Sequence, residues 1–164
     1  MLDALARMAE PVSLLLTIGE EDGAVRRDVL ARAKALGISE RVVLLGNVPG
    51  RQVGELLRRV DVVVNPTLVE SFGFAALEGM AFGAAMVSSD IGPNREICGD
   101  AALYFSPDGA GELAERLTEM LRPEVNAEYR RRAVARFGEV GLDWTGYLDR
   151  LQEFCREAVR VARA

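Results

Sequence analysis

Two glutamates eight residues apart, Glu70 and Glu78, bracket the most chemically loaded stretch of this 164-residue chain, ESFGFAALE. Ionised carboxylates only accept hydrogen bonds, so such a pair suits a ligand rich in hydroxyls. Ser71, Phe72, Gly73 and Phe74 lie between them, and glycine at 73 lets the backbone approach a ligand closely. A helix starting near Phe74 would offer unpaired N–H groups and a partial positive charge, a seat for a phosphate or a sugar hydroxyl. Glu78 would then share a face with that helix start. Spacing alone leaves the plainer alternative open, with Glu70 a solvated loop carboxylate and Glu78 a helix-surface residue.

Other chemistries are excluded by composition. The chain has no histidine, which removes Ser-His-Asp and Cys-His catalysis and His-ligated metals. Its two cysteines, Cys98 and Cys155, are too far apart for a CxxC pair and read as reduced, buried thiols. Neither a Walker loop nor a GxGxxG turn is present. Gly19 is followed by Glu20, Glu21 and Asp22, an acidic run that repels phosphate. Asp90 follows a strand and reads as a catalytic acid, a metal ligand or a loop cap. A net charge of −5 argues against a nucleic-acid binder. No charged segment leads into an apolar core at the N-terminus, and no apolar run approaches the ~20 residues of a membrane span. A cytoplasmic protein is expected.

The elements that must position these residues alternate. Met1 to Glu10 reads as a short helix stopped by Pro11. VSLLLTIG, RVVLLG, DVVVNP, AAMVSS and AALYFSP read as short strands, the runs being apolar enough to be buried on both faces. Between them, Val25, Val29, Ala33 and Leu36 form one helical stripe, with Asp22 as its cap. Val53, Leu56, Leu57 and Val60 form a second. A third helix runs from about Phe74 to Phe82, IGPNREICGD reads as a loop with one helical turn, and two helices follow Pro107. Alternation of this kind implies an α/β fold, a Rossmann-like parallel sheet with helices on both faces. The whole chain, 1–164, reads as one domain. A last helix, about 143–160, carries Trp144, Tyr147, Leu148, Leu151, Cys155 and Ala158 on one face, to pack on its own domain or on something outside the chain. In such sheets ligands bind beyond the carboxyl ends of the strands, which places the loops after Gly19, Gly46, Pro66 and Ser89 at the site.

The segment from Glu70 through ESFGFAALEGMAFGAAMVSSDIGPNREICGDAALYFSPDG resembles the donor-site region of group 1 glycosyltransferases, the retaining family 4 enzymes of GT-B fold. Glu70, Phe72, Gly73, Glu78, Met80, Ala81 and Gly83 match that pattern in register, as does the earlier VVLLGNVP…ELLRRVDVVVNPTLVESFG. The resemblance implies a domain that binds a nucleoside diphosphate sugar and helps move a hexose to a glycan or lipid acceptor. Glu70 would contact the hexose near its reacting carbon. Amides around Ser71, Phe72, Gly73 and Phe74 would hold sugar hydroxyls and the distal phosphate, and Glu78 the ribose. Val48 and Pro49 would flank the base, and Gly19 would line the cleft beside the diphosphate. No cofactor and no metal are implied, since cations stabilise the leaving diphosphate in such enzymes.

Departures from the family limit the expectation. A strand with a GRL…KG pattern, bearing the Arg and Lys that neutralise the diphosphate, is absent, and Lys34 falls in a helix. The N-terminal acceptor-binding domain is absent too, so it would have to come from the same or a separate chain. Ala85 stands in place of a usual proline, and IGPNRE in place of a GG-containing loop. The chain alone is expected to be inactive. The alternative reading is a non-catalytic interaction or regulatory module of the same fold.

Overall fold

The computed structural model describes residues 1–140 together with Gly146, Gln152, Glu153, Arg156 and Arg160. The expected tail stripe of Trp144, Tyr147, Leu148, Leu151, Cys155 and Ala158 lies outside the described residues.

Five short strands alternate with helices. Helix α1 (Leu2–Arg7) precedes β1 (Leu14–Leu16), α2 (Gly23–Ala35), a 3-10 turn at Ser39–Arg41, β2 (Val42–Leu44) and α3 (Gly50–Arg59). Then come β3 (Val63–Asn65), α4 (Phe74–Ala81), β4 (Met86–Ser89), α5 (Gly92–Cys98), β5 (Ala102–Phe105), α6 (Ala110–Met120) and α7 (Pro123–Val140). Every pairing is parallel, as the βαβ alternation requires. The expected Rossmann-like α/β architecture is therefore the one found.

The sheet is nevertheless split. β1 pairs only with β2, Leu14 opposite Val42, while β4 lies between β3 and β5, with Met86 opposite both Val63 and Ala102. All four residues of β4 are buried, the pattern of a strand covered on both faces. β1 and β2 instead alternate half-buried and exposed residues, and Leu15 and Val43 are among the exposed ones. The apolar runs predicted strands correctly but overstated how deeply the first two are covered.

Two helical expectations change. Asp22 sits at the start of α2 but makes no side-chain cap; its carboxylate accepts the N–H of Gly19 at 3.2 Å. The α2 stripe buries only Ala33 fully, and Val25 is exposed. IGPNREICGD is more than one turn: α5 spans seven residues, with Pro93 in the first turn where its missing N–H costs nothing.

The main core packs Ala76, Leu77 and Met80 of α4 against Met86, Ile97, Cys98 and Ala133. Gly79 makes this packing possible, because a Cβ there would lie 2.5 Å from Met86 Sδ. A second cluster joins Ala4 and Met8 to Val87, Phe105, Leu113 and Met120. Arginines bridge the segments between: Arg41 donates to the carbonyls of Met8, Glu10 and Val12 at 3.3, 3.1 and 3.0 Å. Arg130 likewise donates to Gly83 and Val60. No helix among the described residues is long and apolar enough to cross a membrane.

Candidate functional site

The loop between β3 and α4 is held from below by a buried polar network. β3 ends in Asn65, buried, and β4 in Ser88 and Ser89, both fully buried. Asn94 of α5 is also fully buried, and its Nδ2 donates to the Ser89 carbonyl at 3.1 Å and to Ser89 Oγ at 2.9 Å. Asn65 Nδ2 donates to Asn94 Oδ1 at 3.2 Å and to Ser88 Oγ at 3.4 Å. Thr67 Oγ1 donates to Asn65 Oδ1 at 2.7 Å, and Ser89 Oγ donates to the Thr67 carbonyl at 2.5 Å. Among the described residues no buried side-chain nitrogen or oxygen lacks a partner. A fully satisfied network of this kind rigidifies what it touches, and here it touches the root of the loop carrying Glu70.

At the tip, Glu70 folds back onto its own chain. Its Oε1 accepts the N–H of Ser71 at 3.0 Å and of Phe72 at 3.3 Å. The backbone N–H groups of Phe72, Gly73 and Ser71 hold this carboxyl below its ordinary pKa, because they bond to the charged form. Gly73 is the residue before α4 and adopts φ +87°, the left-handed region that an L side chain enters only with strain. It is buried, with Ile97 Cγ1 3.5 Å from where a Cβ would sit. Beyond it, the first N–H groups of α4 belong to Phe74, Ala75 and Ala76, and the first turn of a helix supplies them no acceptor. The Phe72 and Phe74 rings lie 4.8 Å apart, and Phe74 is 58% exposed, so the mouth of this loop is open and partly apolar.

The structure thus brings Glu70, Ser71, Phe72, Gly73 and Phe74 to one place, at the carboxyl end of β3. Glu78 is exposed on α4, four residues past Phe74 and so about 6 Å further along the helix axis. The other expected residues belong to the first sheet. Val48 is half-buried and Pro49 exposed in the loop between β2 and α3. Gly19 is buried beneath the Glu21 carboxylate, where a Cβ would clash. Asn47 Nδ2 donates to Glu21 Oε1 at 2.5 Å, which ties the loops after β1 and β2 together. The acidic run after Gly19 is thereby turned into structure.

Asp90 is paired and is not a free acid. Arg95 grips it with Nε and Nη2, both at 2.7 Å, and this pairing holds the Asp90 carboxyl low. Arg95 also lies over the Tyr104 ring, 3.9 Å from its centre. Among the described residues no three His, Cys, Asp or Glu side chains are grouped to hold a metal. Sequence reasoning missed Asn65, Ser88, Ser89 and Asn94 as site supports. The available signal was polar residues ending otherwise apolar strands.

Parallel strands alternating with helices, with a carboxylate-bearing loop leading into a helix N-terminus, define an α/β domain of the Rossmann type. Residues 1–137 match the family of glycosyl transferases group 1, and the chain belongs to that family. Over 133 residues it is 32% identical to a phosphatidyl-myo-inositol mannosyltransferase of Mycobacterium leprae, covering 78% of this chain and 34% of that protein. Over 62 residues it is 45% identical to an uncharacterized glycosyltransferase of Methanocaldococcus jannaschii, covering 38% of this chain and 16% of that one. The fold is that of Anabaena HepE in complex with UDP, with a TM-score of 0.82 at 21% identity over 95% of this chain and 44% of the other. The chain therefore spans about a third or less of the curated relatives it matches.

Proposed function

We propose that this chain is the donor-binding domain of a retaining glycosyltransferase that moves a hexose from a nucleoside diphosphate sugar to a glycan or lipid acceptor. The observation that carries this reading is the Glu70 loop: a carboxylate and a row of backbone N–H groups side by side at the start of α4. The N–H groups of Phe74, Ala75 and Ala76 suit the sugar hydroxyls and distal phosphate. Glu70 Oε1 already takes two N–H groups, and a carboxylate has about four acceptor sites, so capacity remains for a hexose hydroxyl. Glu78, open to solvent further along α4, accepts from the ribose hydroxyls. Val48 and Pro49 flank the base, and Gly19 lines the cleft beside the diphosphate. The acceptor-binding half comes from polypeptide beyond this chain. Residues 1–164 alone bind donor without transferring the sugar, and the reaction needs no metal.

Calorimetric titration with UDP, GDP, ADP and their hexose conjugates tests the reading. Glu70→Ala is expected to remove the affinity difference between sugar nucleotide and nucleotide, while leaving nucleotide binding. Glu78→Ala is expected to weaken nucleotide and sugar nucleotide alike. Absence of binding at millimolar concentrations of every nucleotide would sink the proposal for this chain.

A further inference from the structure

β5 lies at the edge of its sheet. It pairs with β4 on one side, and among the described residues no strand lies on the other. The Phe105 carbonyl accepts the N–H of Asp90, just past β4, so Phe105 and Leu103 point their backbone groups toward β4. Ala102 and Tyr104 therefore point theirs outward. Ser106 continues the alternation, for its N–H faces outward and Glu112 Oε2 accepts it at 2.8 Å. At the other end of the edge Arg132 Nη1 donates to the Asp100 carbonyl at 3.4 Å. Between these two side chains, the N–H and C=O groups of Ala102 and Tyr104 bond to no described residue. They form the floor of an open groove of about 500 Å³. Three extended residues fill about 480 Å³, taking ~3.3 Å of rise per residue, ~4.8 Å between strands and ~10 Å between packed layers.

Arg95, Arg116 and Arg132 line the groove, yet each guanidinium is already paired: with Asp90, Glu119 and Glu128 in turn. An anion would have to break one of these pairs. Donors and acceptors alternating along an edge are matched instead by an extended chain. The open stretch is also complementary to itself. A two-fold axis through Leu103 sets Ala102 opposite Tyr104 of a second copy, as antiparallel pairs that exchange both N–H···O=C bonds. The same register sets Ser106 opposite Asp100 of the second copy. Glu112, seated on Ser106, then lies beside Arg132 of the second copy, and the contact recurs on the far side of the axis. Charged side chains along an edge ordinarily discourage pairing. Here antiparallel pairing brings opposite charges together, whereas a parallel arrangement would set Glu112 against Glu112.

We propose that the β5 edge is a self-association surface, on which a second copy of this chain pairs antiparallel and continues the β3–β4–β5 sheet through both copies. Glu112 and Arg132 select this arrangement, since their opposite charges sit at opposite ends of the open stretch. The proposal does not rest on the donor-binding reading, and its readout is independent of any nucleotide.

Sedimentation velocity and residue-resolved amide exchange on the 164-residue chain, from micromolar to millimolar protein, test it. The expected result is a monomer–dimer equilibrium in which exchange at Ala102 and Tyr104 slows at least tenfold as concentration rises. Glu112→Arg and Arg132→Glu, each checked for folding by unchanged exchange at Val87 inside the sheet, should each weaken the dimer at least tenfold, because each sets like charges together at both ends. An equimolar mixture of the two variants should recover the dimer, since every facing pair in the mixed dimer again carries opposite charges. Only a contact between copies predicts that recovery. Where a variant fails to fold, exchange in the unsubstituted chain still decides. A chain that stays monomeric throughout would overturn the proposal. So would a dimer that leaves Ala102 and Tyr104 unprotected, or a mixture of folded variants no more associated than either alone.

Discussion

Ser89 Oγ donates to the Thr67 carbonyl at 2.5 Å, fastening the end of β4 to the root of the loop that carries Glu70. Asn94 closes the arrangement from α5, donating to both the carbonyl and the hydroxyl of Ser89. The geometry of the Glu70 loop is thus set by buried side chains beneath it.

Asn94→Leu should be among the most damaging single changes in the chain. It takes the Asn94 Oδ1 acceptor from buried Asn65 and the Asn94 Nδ2 donor from the Ser89 carbonyl and hydroxyl, a loss of about 2–4 kcal/mol. Urea denaturation should show this as a lower midpoint at unchanged slope. Ser89→Ala, which removes one hydroxyl, should cost about 1 kcal/mol.

Gly73→Ala forces an alanine into the left-handed region, at about 1–2 kcal/mol. The same change tilts the N–H groups at the start of α4, so sugar-nucleotide affinity should fall with stability. A fully stable Gly73→Ala protein with undiminished binding would show that the φ of +87° is not needed.

Gly79→Ala tests the approach of α4 to β4. The added methyl meets Met86 Sδ, and overpacking of this kind costs about 1–3 kcal/mol. Met86→Ala in the same chain should recover part of the loss, and a double-mutant cycle by thermal or urea unfolding measures the coupling.

The Glu70 carboxyl titrates below its ordinary value because backbone N–H groups hold its charged form. A depressed folded-state pKa contributes stability above the unfolded pKa, and that contribution is lost as pH falls through the folded one. The difference between wild type and Glu70→Gln should therefore be present at neutral pH and vanish in acid. Carbon-detected NMR of the Glu70 carboxyl gives its midpoint directly.

Burial pushes the Cys98 thiol up to about 11, so little thiolate exists at neutral pH. Iodoacetamide should leave Cys98 unlabelled in the native protein and label it in urea, as followed by peptide mass spectrometry. Rapid native labelling would mean that the α4–α5 core opens readily.

Much of the site was legible because it is local. The order of strands and helices and the helix start at Phe74 follow from short-range patterning, which neighbouring residues enforce. The underside of the loop was not legible. Asn65, Ser88, Ser89 and Asn94 come from three elements, and nothing in their spacing says that they meet. The pairing of Asp90 was not legible for the same reason, its partner Arg95 being brought onto it only by the fold of α5.

The sequence by itself determined an α/β chain of the group 1 glycosyl transferases, with Glu70 and Glu78 in a loop-helix unit at the end of the third strand. Apolar runs choose strands, periodic stripes choose helices, and ESFGFAALE keeps its spacing whatever surrounds it. Tertiary structure alone decided that Glu70 lies on its own backbone, that Asp90 is neutralised, and that the sheet is parted between β1 and β3. Those outcomes depend on groups distant in sequence meeting in space, where burial and hydrogen-bond pairing, not local propensity, set the energy.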